Sequence, residues 1–174
     1  MFQEIAKVGA VAAAGMVGVA SIGNAVGRIF WAWISDAITR RWTFVTMFLL
    51  QISLFWIFPA MSSAAILAVL AFIVLMCYGG GFGTMPAFAA DYFGSKNVGP
   101  IYGLMLTAWG SASAFGPLLI AHMRQSSGSY TSGLHVIAGI MAVSMILPIL
   151  VSRPKSTAAM STSSSPGVPV MHSR

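Results

Sequence analysis

Four polar side chains stand inside apolar, glycine-broken stretches: Tyr78 and Thr84 in YGGGFGTMPAF, and Thr107 and Trp109 in GLMLTAWGSASAFGP. In hydrocarbon a hydroxyl or an indole N–H must bond to a neighbouring helix, to its own backbone, or to a solute passing between helices. A helix whose only task is to span needs none of them. Nor does it need Gly79, Gly80, Gly81, Gly83 and Pro86 in succession. Such a run either loosens the backbone beside a water-lined path or admits a close helix neighbour, and both uses stay open here. For each of the four, the alternative to lining a cavity is packing or bonding within the helix.

A second constellation is charged. Gly27, Arg28, Asp36, Arg40 and Arg41 fall in GRIFWAWISDAITRR, edged by Trp31, Trp33 and Trp42. Tryptophans beside cations mark a headgroup belt, and Asp36 among arginines supports an ion pair or a cap. We expect this group to act as a conformational latch at a membrane surface rather than to bind solute. Enzyme chemistry finds no footing: no Ser/His/Asp or Cys/His arrangement can be assembled on one side, no metal-ligand spacing occurs, and the glycine run lacks the setting of a phosphate loop. No cofactor is expected. Cys77 stands alone in an apolar run and reads as a small buried hydrophobe.

Composition says which elements must position these groups. With 57% hydrophobic residues, 7% charged and a mean hydropathy of +0.86, the chain lies far from a soluble domain, where roughly a quarter of residues are charged. It reads as an integral membrane protein, all-α and polytopic, with the lipid bilayer as its solvent. The formal charge of +6 sits at the connections between spans, where it sets orientation, so no nucleic-acid partner is needed to explain it.

Apolar runs place five transmembrane helices at about residues 5–27, 43–58, 64–90, 100–123 and 133–151, in a transmembrane domain over 1–153. MFQEIAKVG does not read as a signal peptide, because Glu4 precedes Lys7 and the apolar run continues without a cleavage box. In the first span Gly9, Ala13, Val17, Ser21 and Ala25 form a small-residue ridge for a close neighbour, and Asn24 is expected to bond across an interface. The third span is long, and a kink near Gly79 to Pro86 is expected. His122 and His135 fall near one interface as boundary residues, with a pH-sensing use open but lacking an intramembrane carboxylate partner. Residues 154–174, rich in Ser, Thr and Pro, are expected to be a disordered cytoplasmic tail. Arg28, Arg40, Arg41, Lys96, Arg153 and Lys155 fall on one side of the alternating spans, against Lys7 and Arg124 on the other. That asymmetry predicts an outside N-terminus and a cytoplasmic C-terminus, most simply in a plasma (inner) membrane.

The Asp36, Arg40, Arg41 pattern, with Gly27, Arg28 and Ser35 upstream, resembles the loop motif of the major facilitator superfamily. It departs at Ala32 and Thr39, where the pattern has glycine, and at Ala37, where a cation is usual. More specifically, GGGFGTMPAFAADYFGSKNVGPIYGLMLTAWGSASAFGPLL is similar to the oxalate:formate antiporter family of that superfamily. The resemblance implies that residues 5–151 match spans eight to twelve of a twelve-span transporter, most of its C-terminal half, with a missing N-terminal half as a possible partner. It implies alternating access, and in oxalate-transporting members cations in spans eight and eleven that pair with the substrate. Here the first span, ended at residue 27, carries no cation after Lys7, and Trp109 stands where a lysine would be sought. A small organic anion, a monocarboxylate rather than oxalate, is therefore the expected substrate, moved by antiport or with a proton, with Tyr78, Thr84, Thr107 and Trp109 as cavity groups. The alternative is a truncated chain inactive by itself, acting only as a structural partner of the rest.

Overall fold

The computed structural model describes residues 9–128 and 130–151. The expected tail, Lys7 and the first residues of the first span lie outside them. The described residues are helical with no strand, and five helical segments are long and apolar enough to cross a membrane. They are α1 (Ala10–Ile38), α2 (Arg40–Ile57) closed by a 3-10 turn at Phe58–Ala60, α3 (Ala64–Phe93), a 3-10 turn at Ser95–Asn97 leading into α4 (Val98–Ser127), and α5 (Tyr130–Ser144) continued by α6 (Ile146–Leu150). The break before α6 has a local cause: Pro148 has no N–H for the Ser144 carbonyl, and its ring crowds that turn.

α1 differs most from expectation. It runs 29 residues, eleven beyond Gly27, and meets α2 across the single residue Thr39. The stretch read as a polar connection is helix, because nothing between Arg28 and Ile38 breaks one and charge alone does not end a helix. Trp31 is correspondingly not in a headgroup belt: it is 4% exposed and packs with Met47 and Cys77, whereas Trp33 and Trp42 are exposed. α3 is likewise helical without interruption through Gly79 to Pro86.

α1 and α3 form the centre of the bundle and meet backbone to backbone. A Cβ added to Gly23 would come within 2.5 Å of the Phe72 carbonyl oxygen, and one on Gly83 within 2.6 Å of that of Arg28. Gly27 sits equally tight against Met76, Gly79 against Asn24, and Gly80 against the Trp31 ring. Contact positions rise together along both helices, so the two run parallel, as alternate spans must. Asn24 contributes here by packing, with its oxygens facing Gly79.

The seam on α1 is Met16, Ala20, Gly23, Gly27, Trp31 and Ser35, all buried. The ridge expected from Gly9 to Ala25 faces outward instead, with Val17 52% exposed. Steps of four residues advance a helix by about 400°, so a strict i, i+4 ridge winds off one face, whereas mixed steps of three and four stay on it. Away from the seam, Met16, Phe58, Leu67 and Leu134 bring α1, α2, α3 and α5 together near one end. α4 has no buried residue.

Overpacking a close-packed interface costs about 1–3 kcal/mol. Gly27→Val should therefore lower the melting temperature of the detergent-solubilised protein. Gly81→Ala, where an added Cβ meets nothing within 4 Å, should leave it unchanged or raise it. Equal effects of the two would contradict the seam.

Candidate functional site: an aromatic cavity beneath a charged helix end

The residues grouped as one loop motif separate into different jobs. Gly27 belongs to the α1–α3 seam. Arg28, the next residue, lies ten positions before the end of α1, about 15 Å along its axis. That is inside the helix rather than at its end. Its guanidinium carbon lies 6.0 Å from the centroid of the Phe82 ring, at the outer range of a cation–π contact.

Phe82 leads to two of the expected cavity residues. Its ring meets Trp109 edge-on at 5.4 Å and Tyr78 at 5.3 Å. Trp109 Nε1 donates to Tyr78 Oη at 2.6 Å, tying α4 to α3. These rings, with Phe44, Phe48 and Met85, line a cavity of about 180 Å³. Gln51 adds a polar group to its wall; it is 8% exposed, with Nε2 donating at 3.4 Å to the Val74 carbonyl.

The two threonines do not join this cavity. Thr84 is fully buried and donates to the Gly80 carbonyl of its own helix at 2.9 Å. Thr107 is exposed on α4 and donates to the Gly103 carbonyl at 3.0 Å. Both make the helix-internal bond left open from the sequence. Phe82 and Gln51 were not singled out there. Gln51 could have been, as the amide inside the second apolar run; Phe82 carried no signal until Arg28 was placed in a helix.

The remaining charges of the motif gather with Asp91 at the end where α1, α2, α3 and α6 meet. Arg40 pairs with Asp36 at 2.6 Å and, through Nε, with Asp91 at 3.2 Å, and it donates to Ser35 Oγ at 3.0 Å. Arg41 donates to the Ile149 carbonyl. Arg40 therefore clamps the α1–α2 corner to the last turn of α3, and Arg41 ties the same corner to α6. Arg28, expected near Asp36, is two turns deeper. Asp91 falls just after the third span as bounded from the sequence, at 64–90; its signal was an acidic side chain at the end of the bundle where cations collect. A pocket of about 470 Å³ opens among Asp36, Arg40, Arg41 and Asp91. At the opposite end His135 stacks on Trp56 with ring centroids 4.4 Å apart, a packing role between α5 and α2.

The corner of this clamp is Thr39, with φ +86°. Among the described residues no other non-glycine has a positive φ, and this is the position where the resembling motif carries glycine. The chain matches the Major Facilitator Superfamily over residues 3–171. It belongs to that superfamily. It is therefore an integral membrane protein of a transporter superfamily, not of an enzyme family. It is 31% identical over 125 residues to apicoplast pyruvate carrier 2 of Toxoplasma gondii, covering 71% of this chain and 18% of that one. It is also 31% identical over 121 residues to the oxalate:formate antiporter of Oxalobacter formigenes, covering 68% of this chain and 29% of the relative. The chain thus spans less than a third of the length of either relative.

A β-branched residue held at positive φ carries about 1–3 kcal/mol of strain. Thr39→Gly should remove it and raise the melting temperature in detergent, the reverse of the usual effect of glycine. A drop in melting temperature would show that Thr39 is not strained, since the Thr39 carbonyl that accepts from Thr43 is kept in the glycine variant.

Proposed function

We propose that the chain forms the substrate-facing part of the second half of a carrier for small organic anions, corresponding to spans eight to twelve, and that monocarboxylates are its substrates. The observation that carries this reading is Arg28, ten residues inside α1, with its guanidinium carbon 6.0 Å from the Phe82 ring, which itself meets the hydrogen-bonded Tyr78–Trp109 pair. In this reading Arg28 serves as the cation of the first span, supported by the continuation of α1 past it. One arginine balances one carboxylate. The second charge of oxalate would be left without a partner in this chain, at a desolvation cost of about several kcal/mol. A relative named as a pyruvate carrier and another named for oxalate and formate agree with a small carboxylate.

The Arg40 clamp is assigned the part of a latch that holds the helix ends together in one state of an alternating-access cycle, working by antiport or proton coupling. α4, with no buried residue, is assigned a face covered by further helices of the carrier, so transport by this chain requires that complementary part.

Labelled pyruvate uptake into proteoliposomes, by this chain alone and with the complementary half supplied, tests both points. Arg28→Gln should lose about 30-fold or more in apparent affinity, as expected for removing one partner of a desolvated charge pair, with Arg28→Lys retaining part. Asp36→Asn should alter turnover more than affinity. Unchanged affinity in Arg28→Gln would remove the arginine from the site, and full activity of the chain alone would remove the need for a complement.

The orientation proposed from the cations places the Arg40 end in the cytoplasm, with Arg40, Arg41 and Lys96 there against Arg124 at the other end among the described residues. Ser95, exposed in the turn between α3 and α4, reports it. Ser95→Cys should resist an impermeant thiol reagent added to intact cells and react after permeabilisation. Ready reaction in intact cells would invert the topology.

A further inference from the structure

Trp109 has one N–H to give, and in this structure Tyr78 already receives it. Indole nitrogen only donates, so the 2.6 Å contact has a defined direction, with Tyr78 Oη as acceptor. A phenol hydrogen prefers the plane of its ring and has two positions there. When the indole N–H occupies one side of the oxygen, the hydrogen is left to the other. The edge contacts of Phe82 with both rings hold the three in place across α3 and α4.

We infer that Trp109 is a positioning residue for substrate selection and that the Tyr78 hydroxyl, not the indole, is the neutral donor to the carboxylate. Donation from Trp109 selects the Tyr78 O–H direction and polarises it, since a hydroxyl that accepts a hydrogen bond becomes a stronger donor. The carboxylate then accepts the Tyr78 proton at one oxygen. Arg28, which does not itself line the cavity and whose guanidinium carbon lies 6.0 Å from the Phe82 ring, supplies the balancing charge nearby. A carboxylate accepts and never donates when ionised, so a site offering a hydroxyl proton and a guanidinium matches it. The cavity wall of Phe44, Phe48 and Met85 receives the rest of a small monocarboxylate. The inference rests on the carboxylate site proposed above and adds which group touches the substrate.

Uptake of labelled pyruvate by the protein reconstituted with its complementary half separates the two roles through a double-mutant cycle. Tyr78→Phe and Trp109→Phe both keep an aromatic ring against Phe82. Loss of a hydrogen bond to a charged group should raise KM about tenfold or more in Tyr78→Phe, and loss of a neutral bond about threefold in Trp109→Phe. The combined variant should match Tyr78→Phe alone, with maximal rates within about twofold throughout, because Trp109 acts only through Tyr78. Tyr78→3-fluorotyrosine, a more acidic phenol of nearly the same shape, should lower KM, and this reading remains if a phenylalanine variant fails to fold.

Losses that multiply in the combined variant would show the indole contacting the substrate independently and would overturn the inference, as would a raised or unchanged KM with the fluorinated phenol. Those outcomes leave monocarboxylate transport standing. Absence of saturable uptake in the unaltered protein would instead overturn the transport reading, and this inference with it.

Discussion

Two helices bring their backbones into contact only where no side chain stands between them, and the arrangement of this bundle depends on that condition being met between α1 and α3. Gly23 and Gly27 on one helix, and Gly79, Gly80 and Gly83 on the other, supply it. In hydrocarbon, lipid tails are as apolar as leucine, so such contact stabilises through dispersion and Cα–H···O geometry rather than through water release. The seam also sets the site. Arg28 follows Gly27, Phe82 precedes Gly83, and Gly83 lies against the Arg28 carbonyl. The guanidinium therefore reaches Phe82 because the backbones beside them touch.

An arginine about 15 Å inside a helix end is costly unless something answers its charge. A ring face answers weakly, since a cation–π contact is worth about 0.5–2 kcal/mol. Arg40, with two carboxylates and the Ser35 hydroxyl around it, is by contrast fully engaged. The two arginines differ in their surroundings: Arg40 is occupied in holding helix ends, and Arg28 lies beside the Phe82 ring. This difference, rather than their shared motif, is why the latch and the substrate site are assigned to separate residues.

The Tyr78–Trp109 bond joins helices of unlike character. α3 is anchored in the seam, while α4 has no buried residue and meets α3 through Trp109 and Phe82 and α5 through Ile120 against Gly133. This polar tie joins an anchored helix to a weakly held one beside the cavity that both help to line.

By itself the sequence determined that the chain is a five-span membrane protein, where most apolar runs lie, and which aromatic pair deserved notice, because hydropathy over about twenty residues and polar groups in hydrocarbon are local properties. It also held the superfamily, in the Asp36 and Arg40 pattern and the glycine-rich third span. Tertiary structure decided the rest. Whether a glycine run bends a helix or admits a neighbour depends on what lies opposite, and here Gly79, Gly80 and Gly83 face α1 within an unbroken α3. Arg28 reads as a loop cation when charge is taken to end a helix, and as a cation within a helix once α1 continues to Ile38. Asp91 joins Arg40 across a separation of 51 residues, which no local pattern encodes. Thr84 and Trp109 looked alike as polar groups in lipid; folding turned Thr84 to its own helix and Trp109 to Tyr78, because only the second had a partner on a neighbouring span.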